Sequence, residues 1–394
     1  MCAMKSAFLF VVGCVTMAGL LGCSAEDNNS AALEEAKSSA LKFYRELAYA
    51  GYADTLDTAR ALEVAIAALV AGPSQQTLDA ARKAWLAARE PYLQTEVFRF
   101  YDGPIDRPGD GPEPWLNAWP LDEAYIDYVV GDAQAGIIND PSVTLDAETL
   151  TALNETSETS ISTGYHAIEF LLWGQDQSDV GPGARPYTDY VTEGPDATLN
   201  ADRRGQYLTT IAALLVGHLA GLVAEWEPDA DNYRAAFAAV DHEEGLRRLL
   251  TALIVLCGVE TGGERLLVAL DSGDQEDEHS CFSDNTHRDT IQDIQGLVNV
   301  WRGTYTRLDG SLLTGDGLGF VVQQLDAALA ASIDEDLENA LALAKAIQPP
   351  FDQEIKVSNS AGRARVRAVV DALLELEQRF AGLLRLYLSP VNVQ

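Results

Sequence analysis

Residues 162–174 combine a mostly apolar sequence with one imidazole and one carboxylate. Apolar residues recur there at helical spacing and predict a buried helix, at Ile161, Tyr165, Ile168 and Leu172. His166 and Glu169 are three residues apart, so they lie on one face of that helix. A carboxylate buried without a partner is costly, and an imidazole can bind a metal through one ring nitrogen while a neighbouring group holds the other. The pair therefore has the chemistry of a metal site, although structural polar networks in helical bundles bury the same residue types.

Three segments of the chain resemble one protein family. Residues 164–174 resemble the Gly-x-His-x-x-Glu signature of the imelysin family, also called the M75 peptidase-like family. Residues 88–106 resemble the first-half motif of that family, and residues 275–287 resemble its second-half motif. The motifs follow one another in the order expected of the family, and the sequence looks closest to the branch of iron-regulated, imelysin-like lipoproteins. The resemblance implies two related helical lobes and a role in the uptake or handling of iron.

The same motifs supply further candidate ligands for a metal ion. Helical bundles hold iron or manganese with carboxylates and imidazoles from facing helices. Glu96 is the first candidate to join His166 and Glu169, because it adjoins apolar residues within the first-half motif, and Arg99 is expected to neutralise Glu96 or Glu169. The remaining candidates, which include two of the five histidines in the chain, are Asp102, Glu276, His279, Asp284 and His287. Most charges of the acidic loop 271–285 are nevertheless expected to face water.

The composition indicates a globular and acidic protein. Apolar residues make up 47% of the 394 residues, enough for one large domain or two smaller ones with a sizeable core. The formal net charge is −33, which argues against nucleic acid as a partner because its phosphates would be repelled. The same field favours cations as partners, although surface acidity also serves solubility alone.

The N-terminus resembles a lipoprotein signal peptide. Lys5 precedes an apolar run that ends in a lipobox-like sequence just before Cys23. Cleavage there would remove residues 1–22, and acylation of Cys23 would anchor the protein to a membrane through a polar tether at 23–30. In the lipoproteins that this segment resembles, Ser24 after the cysteine favours the outer membrane, facing the periplasm or the cell surface. An ordinary secretory signal peptide is the alternative, and it also predicts export.

Two cysteines remain in the predicted mature chain. An oxidising compartment permits a disulfide between Cys257 and Cys281. Cys257 falls in an apolar helical run and Cys281 in a loop, so the sequence leaves their pairing open. The chain contains no Cys-x-x-Cys motif, which argues against a cysteine zinc site.

The pattern along the chain predicts an all-α fold, because no stretch alternates like a strand for long. Pro91 is expected to kink or break the second helix one turn before Glu96, and Asp146 is expected to cap the helix that leads into His166. The resemblance implies two related lobes, which we place at 31–197 and 198–390, with the motifs at their interface. The later helices are expected at 241–270, 286–302, 318–331, 334–347 and 362–388.

Three functional hypotheses follow. The first is an exported, lipid-anchored protein that binds a metal ion or metal chelate, with iron expected and zinc or calcium as alternatives, and that works with metal-transport partners. The second is a metallopeptidase of the imelysin type. It lacks a His-Glu-x-x-His motif, and neither a third ligand nor a base can be identified. The third is a structural or receptor-like surface module with a vestigial site.

Overall fold

The computed structural model describes residues 20–178 and 180–387, with side chains from residue 30 to residue 385 except at 179. Most of the predicted signal peptide, residues 1–19, lies outside the described residues, as does the side chain of Cys23. The segment predicted as a tether, residues 23–30, is helical and continues into the first core helix. Residues added to the end of an existing helix extend it without a new nucleation step, and a tether role for this segment stays a prediction.

Within the described residues the fold is all-α, as predicted, apart from one short hairpin. The helices of the first half are α1 (Leu20–Ala71), α2 (Gln75–Leu93), α3 (Glu113–Leu116), α4 (Glu123–Ile126), α5 (Ala147–Leu153), α6 (Gly164–Trp173) and α7 (Ala201–Trp226). The helices of the second half are α8 (Tyr233–Ala239), α9 (His242–Val255), α10 (Val268–Ser272), α11 (Thr286–Arg302), α12 (Leu318–Leu325), α13 (Ala327–Ala346), α14 (Phe351–Ile355) and α15 (Ser360–Tyr387).

Other regular segments connect these helices. A π-helix, Leu256–Leu267, joins α9 to α10. The 3₁₀ turns are Glu96–Phe98, Ile137–Asn139, Tyr187–Tyr190 and Gln275–Asp277. The hairpin pairs β1 (Thr304–Thr306) with β2 (Leu312–Thr314) in antiparallel register, with Tyr305 opposite Leu313. Neither the hairpin nor the π-helix was predicted. For the hairpin the reason is that strands of three residues are too short to show an alternating pattern.

The long helix α1 organises the core. It packs along α2 and α7 and also contacts α9 and α12 from the second half of the chain. An aromatic cluster fills the space between α1, α7 and α8, with the ring of Tyr44 5.2 Å from Phe98, 6.2 Å from Trp226 and 5.6 Å from Phe237. The helix α7 is long and apolar enough to cross a membrane by length and composition, but its apolar stripe packs on α1 and α6, as in a core helix.

Three helices bring the sequence motifs together. The helix α2 contacts both α6 and α11, while α11 also packs against α12, α13 and the π-helix. α2 ends at Leu93, two residues after Pro91, and a 3₁₀ turn follows at Glu96, as the sequence predicts. One interior region is therefore shared by the first motif, the signature helix and the segment after the second motif. The division into lobes at residue 197 stays a prediction.

Two predicted helix boundaries were wrong. Asp146 caps α5, where its carboxylate accepts a hydrogen bond from Thr149 N at 2.8 Å, and α5 stops ten residues before α6 begins. The chain turns between them because Asn154 Oδ1 accepts hydrogen bonds from the backbone of Ser162 and Thr163. The break expected near residue 332 is absent, since α13 runs without interruption from a cap at Asp326.

Candidate metal centre

The signature helix α6 is fixed in place by its first residue and by its neighbours. Gly164 has φ +86°, and a Cβ there would lie 2.6 Å from the carbonyl oxygen of Leu116, so glycine is required. Trp85 Nε1 of α2 donates to the carbonyl of Tyr165 at 2.9 Å. All ten residues of α6 are buried. The sequence therefore holds the first turn of this helix rigidly inside the protein, where His166 and Glu169 project from one face.

His166 and Glu169 form a buried pair. The side chains are 1% and 0% exposed, and His166 Nδ1 lies 3.0 Å from Glu169 Oε2. The other carboxylate oxygen, Oε1, accepts the backbone N–H and the hydroxyl of Ser283 at 3.0 and 2.6 Å. His166 Nε2 has no hydrogen-bond partner among the described residues, although it is buried. Such an atom is costly unless a ligand completes it.

A second imidazole lies against the first. The ring centroid of His279 is 4.8 Å from that of His166, with the planes at 68°. His279 Nδ1 lies 2.8 Å from Asp289 Oδ2 of α11, so this ring also has a carboxylate at Nδ1. Its Nε2 has a long contact of 3.5 Å to the amide nitrogen of Asn117. Arg89 donates to the oxygen of that amide, which makes the nitrogen the donor and indicates a lone pair on Nε2 of His279.

Both rings therefore have the same arrangement, with a carboxylate at Nδ1 and an Nε2 that is free or weakly bonded. Metal-binding histidines in proteins show this arrangement, because the carboxylate fixes the tautomer and leaves the Nε2 lone pair for the metal. The carboxylates of Glu169 and Asp289 thus orient the rings. Among residues 20–178 and 180–387 no three His, Cys, Asp or Glu side chains form a group that could hold a metal ion, so a metal here would have the two imidazoles alone as protein ligands.

Burial sets the protonation of the imidazoles. It lowers the pKa of His166 well below its ordinary value, and the nearby His279 and Arg89 add to this effect. Burial and the charge of Arg265 lower the pKa of His279 to about 4. Both rings are therefore neutral near pH 7, which is the form that binds a metal.

The pKa values of the two carboxylates beside these rings, Glu169 and Asp289, are shifted in opposite directions. Burial raises the pKa of Glu169 to about 8, while the hydrogen bonds from Ser283 oppose the shift. Burial would also raise the pKa of Asp289, but the charge of Arg89 and the hydrogen bonds from His279 and Ser280 lower it well below its ordinary value. Asp289 is thus held as an anion by a guanidinium group, and Glu169 has no such partner.

The match to a known family covers most of the chain. Residues 48–380 match the Imelysin family model, peptidase M75. The chain belongs to the imelysin family. It is 25% identical over 346 residues to iron-regulated protein A of Synechococcus elongatus, covering 84% of this chain and 83% of that protein.

Two solved structures share the fold. A putative iron-regulated protein A precursor from Parabacteroides distasonis has a TM-score of 0.68 at 18% identity, covering 88% of this chain and 94% of that one. An imelysin-like protein from Psychrobacter arcticum has a TM-score of 0.61 at 14% identity, covering 88% and 93%. At these identities the likeness shows the fold alone.

Glu96, the first candidate for a third ligand, belongs to an arginine network instead. Its Oε2 lies 2.7 Å from Arg99 Nη1 and 2.6 Å from Arg265 Nη2, and Arg265 also reaches Asp293 at 2.9 Å. Burial would raise the pKa of Glu96, but the two arginines lower it to about 2. Two guanidinium groups thus neutralise this carboxylate, and no hydrogen bond joins it to either imidazole among the described residues. A ligand role for Glu96 stays a prediction. Arg99 neutralises Glu96, as predicted, and also pairs with Glu113 at 3.1 Å.

The other candidates in the imelysin motifs are not hydrogen bonded to His166 or His279. Asp102 is exposed in a turn with φ +58°, and Glu276 is exposed in the loop after α10. Asp284 is 3% exposed and hydrogen bonded to neither imidazole, while His287 is half-buried with Nδ1 3.2 Å from the carbonyl oxygen of Asp284. The structure therefore does not bring these four side chains to the imidazoles, and their role as ligands stays a prediction.

The disulfide left open by the sequence is not formed. Cys257 and Cys281 are both buried as free thiols. Burial raises the pKa of each thiol well above its ordinary value. Both cysteines therefore act as small core residues here.

Sequence reasoning missed four groups that build the centre: Arg89, Asn117, Ser283 and Asp289. Asp289 did carry a signal, because it and Asp293 are one turn apart on the face of α11 that also presents Gly296 and Leu297, and all four are buried. Carboxylates within a buried stripe indicate internal partners. The other three groups carry no such signal, since their roles depend on how loops and α2 meet.

Proposed function

We propose that this imelysin-family chain is an exported, lipid-anchored protein that binds iron and serves its uptake or handling. The iron-related role is supported by the name of the relative from Synechococcus elongatus, iron-regulated protein A, and by its 84% coverage of this chain. The lipobox-like sequence before Cys23 supports export and anchoring. The single observation that carries iron binding is the buried and unpaired Nε2 of His166, beside the second imidazole, within the described residues.

In this proposal the two imidazoles are the protein's ligands. His166 and His279 bind iron through Nε2, while Glu169 and Asp289 hold their Nδ1 atoms at 3.0 and 2.8 Å. Imidazole suits iron as a ligand, and water or a chelate fills the remaining positions. Glu169, expected from the sequence to be a direct ligand, instead orients His166. Among the described residues, Glu169 and Asp289 are the carboxylates hydrogen bonded to the two rings.

Access to the centre requires movement. His166 and His279 are 1% and 2% exposed, and the segment that carries His279 and Ser283 closes over Glu169. Opening of that segment would admit the ion, and its closure would separate the site from bulk solvent. Such burial would slow the dissociation of the ion, which suits a protein that binds or transfers iron.

The experiment is an anaerobic titration of the purified protein with Fe(II) by calorimetry. His166→Ala and His279→Ala should each lose tight binding, because each removes one of two protein ligands. His242→Ala is the matched control, since His242 is 37% exposed and lies 3.0 Å from Glu34 at the surface. Iron binding that is unchanged in the double variant His166→Ala/His279→Ala would reject the proposed site.

The peptidase name of the family supports a second reading, and the burial of the centre argues against it. A polypeptide substrate has to reach the metal and an activating base, whereas both imidazoles and Glu169 are at most 2% exposed. We expect no turnover of unfolded protein that a chelator abolishes and metal restores. Such turnover, lost in His166→Ala, would establish the peptidase. A centre that takes up none of the metals tested, with a surface partner recovered by pull-down, would instead indicate the receptor-like module.

A further inference from the structure

An open cavity lies beside the C-terminal end of α6. Its volume is about 430 Å³, which is within the range of pockets that bind small molecules. The charged residues of its lining are Arg185 and Asp176. Most of the lining is apolar, and it includes Val129, Val130, Trp173, Pro182, Ala184 and Pro186. This space, which we call the α6 cavity, therefore combines apolar walls with a guanidinium group.

The backbone after α6 places Arg185 in the wall of the α6 cavity. Arg185 N donates to the carbonyl oxygen of Trp173 at 2.7 Å, and Gly183 N donates to that of Phe282 at 2.9 Å. Gly174 has φ +74°, and a Cβ there would lie 3.2 Å from Cβ and 3.6 Å from Nε of Arg185. Glycine at position 174 therefore leaves room for the Arg185 side chain beside the end of the helix.

The guanidinium group of Arg185 is fixed by its neighbours. Its Cζ lies 5.1 Å from the ring centroid of Tyr128 and 5.2 Å from that of Phe170. Nη1 donates to Asp127 Oδ2 at 2.8 Å and to Asp189 Oδ2 at 2.9 Å. The side chain is only 1% exposed. The group is thus held in one position before any ligand binds, which lowers the entropic cost of binding.

One edge of this guanidinium group has no partner. Nε of Arg185 is buried without a hydrogen bond, and both hydrogen bonds that the group donates within the described part of the chain leave from Nη1. The unused edge is formed by Nε and Nη2. Arg204 and Arg307 use the same edge to bind Asp127 and Asp54 through paired hydrogen bonds. Because arginine recognises carboxylates in this bidentate way, the unused edge indicates a carboxylate ligand.

The buried charges around Arg185 also favour an anion. Asp127 accepts hydrogen bonds from Arg185 and Arg204, and Asp189 accepts one from Arg185. Arg82 adds a third guanidinium group, because its Nη2 donates to the carbonyl oxygen of Arg185 at 3.0 Å. Three guanidinium groups thus surround two buried carboxylates, which leaves a positive charge for a ligand to neutralise.

Two further carboxylates lie nearby. Asp79 is 3.9 Å from Arg82, but its side chain is 60% exposed, so solvent screens this pair. Asp176 lines the α6 cavity, and its Oδ1 accepts the backbone N–H of Ser178 at 2.8 Å. The negative end of a ligand should therefore lie toward Arg185 and away from Asp176.

We propose that the α6 cavity binds a small carboxylate that has an aromatic or other apolar body. The carboxylate accepts hydrogen bonds from Nε and Nη2 of Arg185, while the apolar body packs against Trp173 and Pro186. An uncharged molecule of the same shape keeps the apolar contacts and loses the charge-assisted hydrogen bonds. The site uses neither His166 nor His279, so it is independent of the proposed iron centre.

The experiment is a calorimetric titration of the purified full chain with 2-naphthoate and with 2-naphthamide, which has the same shape without the charge. We expect saturable binding of one 2-naphthoate per chain, at least about tenfold tighter than that of 2-naphthamide, because charge-assisted hydrogen bonds are about twice as strong as neutral ones. Arg185→Lys should bind 2-naphthoate at least about tenfold more weakly, since lysine keeps the charge and lacks the planar edge.

Ala184 offers a test that leaves the buried arginine network intact, because it is exposed and lines the cavity. Ala184→Lys should strengthen the binding of 2-naphthoate and Ala184→Glu should weaken it, whereas 2-naphthamide should bind both variants alike. The matched controls are Ala331→Lys and Ala331→Glu, at an exposed position of α13. Both controls should bind 2-naphthoate like the original chain.

The outcomes separate this site from the iron centre. His166→Ala/His279→Ala should bind 2-naphthoate like the original chain, even if it loses iron. Absence of a saturable 2-naphthoate isotherm, equal affinity for 2-naphthamide, or equal binding by Ala184→Lys and Ala184→Glu would overturn the proposal. If Arg185→Lys does not fold, the two Ala184 variants decide the question alone.

Discussion

The imidazole centre and the buried carboxylates Glu278, Asp284 and Asp352 differ in how their charges are paired. At the centre, Asp289 lies 3.3 Å from Arg89, and the nearby Glu96 pairs with two arginines. Glu278 and Asp284 have no ion pair among the described residues, and Asp352 lies 3.7 Å from Lys356. The first region already contains its positive charge and lacks only a partner for an imidazole nitrogen. In the second region the missing partner is a positive charge or a proton for the buried carboxylates.

The largest effect expected from this comparison is on Asp289. Asp289→Asn leaves the buried guanidinium of Arg89 without its anion, and it should lower the free energy of unfolding by about 3–5 kcal/mol. Denaturant unfolding of the metal-free protein measures this. Asp334→Asn is the control, because its pair with Arg302 is 36–39% exposed and should contribute at most about 1 kcal/mol. Equal effects of the two substitutions would show that burial does not distinguish these pairs.

Acid should destabilise the arginine network around Glu96. The folded-state pKa of Glu96 is lowered from 4.5 to about 2, so its ionised form stabilises the fold above pH 4.5. That stability, roughly 2–3 kcal/mol, should be lost as the pH falls from about 4.5 to 2. Denaturant unfolding at a series of pH values should show a flatter profile for Glu96→Gln than for the original chain. Glu338→Gln, at a 74% exposed side chain, should leave the profile unchanged. A Glu96→Gln profile as steep as the original would contradict this account.

Glu169→Gln tests whether Glu169 binds the metal or orients its ligand. Replacing the carboxyl group that holds Nδ1 of His166 with an amide should weaken iron binding by about 10- to 100-fold while the stoichiometry is kept. Anaerobic titration with Fe(II) gives both quantities, and Glu335→Gln at an exposed position of α13 is a charge-matched control. Complete loss of binding in Glu169→Gln would make Glu169 a direct ligand, as the sequence alone suggests.

Asp284→Asn should have the opposite sign to Asp289→Asn, with a smaller size. It removes a buried and unpaired charge beside Asp352, so the metal-free protein at pH 8 should gain roughly 1–2 kcal/mol of unfolding free energy. Asparagine also tolerates the positive φ of 56° at this position. Denaturant unfolding in the presence of chelator measures the gain. A destabilisation as large as that of Asp289→Asn would show that Asp284 has a partner in the fold.

The sequence predicted the parts of this architecture that depend on local pattern. The spacing of His166 and Glu169 on an apolar helix predicted their burial and contact, and Pro91 predicted the end of α2. The start of α6 could not be predicted, because it depends on Gly164 passing against the backbone of Leu116. The sequence also could not predict that His279 and Asp284 face different interior regions, because both lie in one acidic loop. Tertiary contacts, which one sequence does not display, decide both features.

The most direct test of the account is X-ray absorption at the iron edge of the iron-loaded protein. The original chain should show scattering from two imidazole rings, any iron that His279→Ala retains should show one ring, and any iron retained by His166→Ala/His279→Ala should show none. The control His242→Ala should keep both rings. A spectrum with oxygen ligands alone, or one that does not change in the double variant, would contradict the proposal that two buried imidazoles bind the metal.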